Sequence, residues 1–167
     1  MMSEFEENTA TGWFQWAPAE SLMASIRMYQ RYRDKSGFLA AAIRKMARLK
    51  HRFWSVMTAS DINPATMIGK GLRLPHPTGV VIHRDVVIGP GCMIMQQVTI
   101  GQMAGPDVPI IGANVYIGAG AKILGPVVIG DGARIGANAV VLNNIPAHCT
   151  AVGIPARIVR SRMPSKK

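Results

Sequence analysis

The sequence predicts a mainly β protein, a parallel β-helix of hexapeptide repeats preceded by two short α-helices. Three observations lead there. Aliphatic side chains recur at every sixth position from Ile62 onward. Of the 167 residues 49% are hydrophobic but only 6% aromatic, with 17 glycines and 11 prolines, a composition of small apolar residues and turn formers. The basic excess that gives a net charge of +10 lies at the two ends, leaving the middle almost neutral.

The elements follow in chain order. Over residues 19–35, Ala19, Leu22, Ile26, Met28 and Tyr29 recur at helical spacing, and Ser36-Gly37 breaks the pattern. A second helix is expected over Phe38 to Met57, with Leu39, Ile43, Met46, Phe53 and Met57 on one stripe. Its opposite face carries Arg44, Lys45, Arg48, Lys50 and Arg52, read as a solvated basic face on a helix packed against the rest of the chain. The period then changes. Ile62, Ile68, Leu74, Ile82, Ile88, Ile94, Ile100, Ile111, Ile117, Ile123, Ile129, Ile135 and Val141 form the series, and seven of the thirteen precede a glycine. A period of six suits neither a helix nor a long alternating strand, and a sandwich of short strands would not keep it in phase. It is the signature of a β-helix in which each hexad is a short strand and a corner, and three hexads close one coil of 18 residues. Glycine is expected to serve the corners through its tolerance of unusual dihedral angles. The chain therefore divides into an N-terminal helical segment, 1–59, a β-helix domain, 60–155, and a basic C-terminal tail, 156–167.

Composition also excludes. No run of about 18 apolar residues offers a membrane span, and Met1 to Asn8, with Glu4, Glu6 and Glu7, does not read as a secretory leader. Cys92 and Cys149 are too few for a disulfide framework, and no Cys/His cluster suggests a metal. Cys92 is expected to pack in the core. No nucleic-acid motif accompanies the charge, so nucleic acid is not an expected partner. A peripheral contact between the basic helices and an anionic membrane remains an expectation.

Two slips in the register point to function. Leu74 to Ile82 is eight residues, placing two extra around Pro75-His76-Pro77-Thr78-Gly79, and Ile100 to Ile111 is eleven, extruding Gly101 to Val108 as a loop. One coil plus the two extra residues puts the 75–80 loop above Asp61. An aspartate beneath a histidine holds one ring nitrogen and stabilises the imidazolium, so His76 is the candidate general base and Asp61 its orienting partner. His51, His83 and His148 lack an acid at such a spacing, and no base is evident near Cys149.

The stretch from Asp61 through Ile-Gly-Lys-Gly to Pro75-His76-Pro, the run Ile117-Gly-Ala-Gly-Ala-Lys-Ile-Leu-Gly125 and the ending Ala151-Val-Gly-Ile-Pro-Ala-Arg157 resemble serine acetyltransferases, over about residues 60–160. The resemblance implies a left-handed parallel β-helix, a homotrimer with active sites between subunits, and acetyl transfer from acetyl-CoA to a hydroxyl without a metal. It carries the catalytic histidine onto His76 and its aspartate onto Asp61, and acetyl-CoA contacts onto Gly101, Ala119, Arg134 and Ala137. Two departures concern the acceptor. Pro75 stands where serine-using members carry an aspartate, and Val108 where they carry a second active-site histidine. These departures resemble the polysaccharide O-acetyltransferase branch. The sequence therefore places a sugar hydroxyl of a bacterial surface polysaccharide first as acceptor, serine second, and a non-enzymatic β-helix binding module third. The location expected is the cytoplasm, at the inner face of the membrane if the helices dock there. The family's larger helical domain is reduced to two helices here, which favours a simple trimer over paired trimers.

Overall fold

The computed structural model describes residues 17–103 and 105–161. Two helices come first, α1 (Pro18–Tyr32) and α2 (Phe38–Thr58). Fourteen short strands follow and stack into the three faces of a parallel β-helix. The first face holds β1 (Asp61–Ile62), β3 (Val81–Ile82), β6 (Thr99–Gly101), β9 (Lys122–Leu124) and β12 (Val140–Val141). The second holds β2 (Met67–Ile68), β4 (Val87–Ile88), β7 (Ile110–Ile111) and β10 (Val128–Ile129). The third holds β5 (Met93–Ile94), β8 (Tyr116–Ile117), β11 (Arg134–Ile135), β13 (Cys149–Val152) and β14 (Arg157–Ser161). All pairings are parallel except β13 with β14. The first five residues after Ala156, assigned from sequence to a basic tail, are thus a strand hydrogen-bonded to the last coil. The reading of Met1 to Asn8 and the remainder of the tail lie outside the described residues.

All thirteen hexad aliphatics point inward, none more than 8% exposed. The residue two places earlier is buried as well, for example Val80, Val86, Cys92, Val98 and Ala121, so each strand reads in-out-in. The buried core of the described residues contains no aromatic ring, because a coil whose faces are two or three residues long has no room for one.

The glycines do something other than expected. All seven that follow a hexad isoleucine lie outside the left-handed φ region, and in six of them, all but Gly101, an added Cβ would run into the neighbouring coil. Those six are glycine because adjacent coils press together there. A Cβ on Gly89 would lie 2.5 Å from the backbone of Gly112, and one on Gly118 2.6 Å from the Ala137 nitrogen. Left-handed φ belongs instead to corner positions such as Gly91 and to Asn114 and Asn138.

The first coil has an open lower edge, and α1 closes it. The Arg27 guanidinium donates to the Ile68 carbonyl at 2.6 Å and also to the Gly69 carbonyl, while Gln30 Nε2 donates to the Thr66 carbonyl at 2.8 Å. These carbonyls have no strand beneath them, and covering them removes an edge on which another chain could pair. Leu22 and Ile26, both fully buried, seal the apolar interior beside them.

The packing of α2 overturns the expected orientation. Its buried residues are Ala40, Ala47, His51 and Thr58. Of the stripe expected to pack, Ile43 is half-buried and the rest is outward, with Leu39 72%, Met46 51%, Phe53 54% and Met57 48% exposed. Small residues let α2 approach α1 closely, and the large side chains are displaced to the far side. His51 sits between the helices, with Ser25 Oγ 3.3 Å from Nδ1 and Ser55 Oγ 3.3 Å from Nε2. Burial holds its pKa below the ordinary imidazole value of 6.5, partly opposed by the Ile62 backbone and the Asp61 charge. The unfolded chain therefore takes up this proton first as the pH falls, and the stability contributed by neutral His51 is lost below about pH 6.5. The melting temperature is expected to fall between about pH 7 and about pH 5.5, and His51→Gln to flatten that fall in a pH series of thermal melts.

Candidate active site

The first slip in the repeat sits at the corner leading into the first face. Asp61 pairs in register with Val81, a spacing of 20 residues, so the two extra residues are taken up in the 75–80 loop. That loop is tied to the segment beneath it. Ser60 Oγ donates to the Pro77 carbonyl, Gly79 N–H donates to the Thr58 carbonyl at 3.3 Å, and Asp61 N–H donates to the Val80 carbonyl at 2.9 Å. His76 is thereby held next to a residue anchored to Ser60, the neighbour of Asp61. Both side chains are exposed. No hydrogen bond or ion pair joins them among the described residues, so the loop is positioned while the imidazole–carboxylate contact is unmade. Catalytic hydrogen bonds often tighten only when substrate is bound.

The same corner continues upward as a column. Gln97 N–H donates to the Thr78 carbonyl, Gly120 N–H to the Gln96 carbonyl and Asn138 N–H to the Ala119 carbonyl. Ala119 and Ala137 therefore stand on the His76 edge of the first face, one above the other. Gln96 in this column has its amide oxygen buried without a hydrogen-bond partner, a polar atom that the chain's own packing leaves unsatisfied.

Gly101 lies on the opposite edge. Ile82 pairs with Ile100, which sets Gly101 one coil above His83. Asp61, Asn63, Val81, His83, Thr99 and Gly101 line a groove of about 330 Å³ across the first face. Gly101 is the exception among the glycines of the repeat. Its φ is ordinary, and a Cβ built on it meets nothing within 4 Å. Neither backbone conformation nor packing within this chain requires glycine there. The five extra residues of the second slip leave the helix immediately after it, shown by the 23-residue register from Val87 to Ile110.

Arg134 stands on the third face, its guanidinium carbon 4.6 Å from the centre of the Tyr116 ring. A single chain therefore brings together His76, Asp61, Ala119 and Ala137 at one edge. It places Gly101 at the other edge and Arg134 on a separate face. Sequence reasoning set His83 aside for want of an acid at a coil-related spacing and did not consider Asn63. Their signal was present, because both follow a hexad isoleucine on the first face, as Gly101 does, and three such residues stack into one edge. Val108 is partly buried and packs on the core. Cys92 is fully buried, its thiol donates to the Gly112 carbonyl at 3.1 Å, and burial pushes its pKa up, which leaves it a packing residue.

Comparison with known proteins agrees with this architecture. The family described as bacterial transferase hexapeptide (six repeats) matches residues 109–143. A serine acetyltransferase of Synechococcus elongatus is 41% identical over 115 residues, 67% of this chain and 47% of that protein. One from Salmonella typhimurium is 49% identical over 108 residues, 63% of this chain and 40% of that protein. A crystal structure of serine acetyltransferase in complex with coenzyme A from Brucella abortus superposes with a TM-score of 0.75 at 30% identity, over 90% of this chain and 59% of that one. The chain thus spans about half the length of the curated relatives it matches. By its repeat, its coil geometry and this likeness, the chain belongs to the serine acetyltransferase-like hexapeptide-repeat acyltransferases.

Proposed function

We propose that this protein is an acetyl-CoA-dependent O-acetyltransferase that acts on the hydroxyl of serine or a closely similar amino acid. The observation that carries the reading is the corner where the His76 loop is hydrogen-bonded down onto the Thr58–Asp61 segment, beneath a column of small residues. His76, oriented by Asp61, removes the proton from the acceptor hydroxyl. The oxygen attacks the thioester carbonyl, and the charge on the resulting oxyanion is met by backbone N–H groups or a side-chain donor of the 95–101 stretch. The C–S bond then breaks, and the coenzyme A thiolate takes the proton held by His76. Acetyl group and proton are both accounted for without a covalent enzyme intermediate.

The open space at Gly101 and the small side chains of Ala119 and Ala137 suit close approach of a slender pantetheine arm. Those residues lie on opposite edges of the first face, so one chain cannot enclose the arm with both. Setting the Gly101 edge of one copy against the Ala119 edge of the next closes the cleft, and a heterologous contact of this kind repeats into a ring. This supports a homotrimer with its sites between subunits. The use of acetyl-CoA and two cysteines that are free and buried support a cytoplasmic location.

The relatives, named as serine acetyltransferases, favour serine over the sugar hydroxyl that the sequence places first. The sugar reading is kept second on a specific observation. Pro75 supplies no carboxylate beside His76, and Val108 is committed to the core, so neither position offers a charged group to an amino acid. A coenzyme A release assay with serine and with a panel of mono- and oligosaccharides decides between them. Serine-dependent release is the expected result. Release with a sugar alone would replace it by the second reading, and no release with either would remove the acetyltransferase proposal.

A further inference from the structure

The outward face of α2 is not used by the site, and it is the most apolar exposed surface on a helix. Leu39, Met46, Leu49, Phe53, Val56 and Met57 are between 48% and 75% exposed. At about 100° per residue they form a continuous stripe about 100° wide along the helix, and Phe38, 91% exposed, extends it at the N-terminal end. From Phe38 to Met57 the stripe is about 28 Å long, nearly the full length of the helix. Cations flank it on both sides. Lys45, Arg48 and Arg52 lie along one flank and Lys50 along the other, all exposed. From Phe38 to Thr58 there is no aspartate or glutamate, and among the described residues no acid forms an ion pair with a cation of this helix.

This combination selects an occupant. A second copy of the chain would bring like-charged rims together around the stripe, and a chain of net charge +10 has few acids to offer from any other surface. An anionic lipid surface satisfies both parts of the face. Its acyl boundary takes the apolar stripe, and its headgroups meet the flanking cations. We propose that α2 lies in the plane of an anionic membrane interface as a peripheral anchor, with its buried Ala40–Ala47–His51 face still against α1. The anchor is rigidly joined to the candidate site, because the His76 loop is hydrogen-bonded to Thr58, the last residue of α2. The proposal is independent of the acceptor and of the acetyl-transfer reading.

The test is co-sedimentation of the full chain with phosphatidylcholine vesicles, with and without about 30 mol% phosphatidylglycerol. Binding is expected only to the anionic vesicles and should weaken as salt rises from about 0.1 M to about 0.5 M. Leu49→Ser/Phe53→Ser, at positions already exposed, should retain the circular dichroism spectrum and melting temperature while losing at least about tenfold in partitioning. Lys45→Gln/Arg52→Gln should lose about fivefold per charge. Equal binding of the wild type and the stripe variant, or equal binding to neutral and anionic vesicles, would overturn the proposal. So would a solution mass, by light scattering, that halves in the stripe variant, which would assign the stripe to a second copy. Binding seen only after removal of residues 1–16 would assign it to that segment instead.

Discussion

Replacing His76 by alanine is expected to lower turnover about a thousandfold while leaving the coil and its thermal stability intact. The stability half of the expectation follows from where the residue sits. His76 is exposed, and the hydrogen bonds that hold its loop come from Ser60 Oγ and from backbone groups at Gly79 and Asp61, none of which involves the imidazole. The activity half follows from the acetyl-transfer proposal, in which no other group at that corner is placed to take the acceptor proton. Asp61→Asn should act through His76. It should reduce kcat substantially but less than removal of the histidine. His83→Ala is the necessary comparison, since His83 also lines the groove with Asp61. It should cost far less. If His83→Ala abolished turnover and His76→Ala did not, the base would have to be reassigned to His83.

The second large effect separates two glycines that the repeat presents as equivalents. Gly89 and Gly101 each follow a hexad isoleucine. A Cβ on Gly89 falls 2.5 Å from the backbone of the coil above, where no flexible side chain can yield, and Gly89→Ala must force the coils apart. A loss of about 3 kcal/mol or more is expected, seen as a fall of roughly 6–12 °C in melting temperature for a chain of this size. At Gly101 the same methyl group meets nothing within 4 Å, at an ordinary φ. Gly101→Ala should therefore leave stability almost unchanged, and the bulkier Gly101→Leu should raise the KM for acetyl-CoA by about tenfold or more if the pantetheine arm passes there. Parallel melts and steady-state kinetics on the three variants read both halves. A Gly101→Leu enzyme with unaltered KM would move the cofactor away from this edge.

The period of six by itself determined the β-helix, and the reason is local. An inward aliphatic at each hexad is a demand that every coil makes on its own segment, so it is written position by position, and all thirteen such residues are buried. The two register slips were legible for the same reason, and they located the 75–80 loop above the segment 58–61 because parallel stacking converts sequence spacing directly into height. What depends on contact between distant segments was not legible. The use of Arg27 and Gln30 to close the open edge of the first coil required knowing which carbonyls lacked a strand beneath them. The orientation of α2 was reversed, because helical periodicity shows that a face is apolar but not whether a small-residue face packs more closely elsewhere, as Ala40 and Ala47 do. Gly101 looked like every other glycine of the repeat until the space around it could be measured. Sequence spacing decided the scaffold and the height of each residue on it. Only the tertiary structure decided which edge, which open space and which uncovered face remained for a substrate, a second subunit or a membrane.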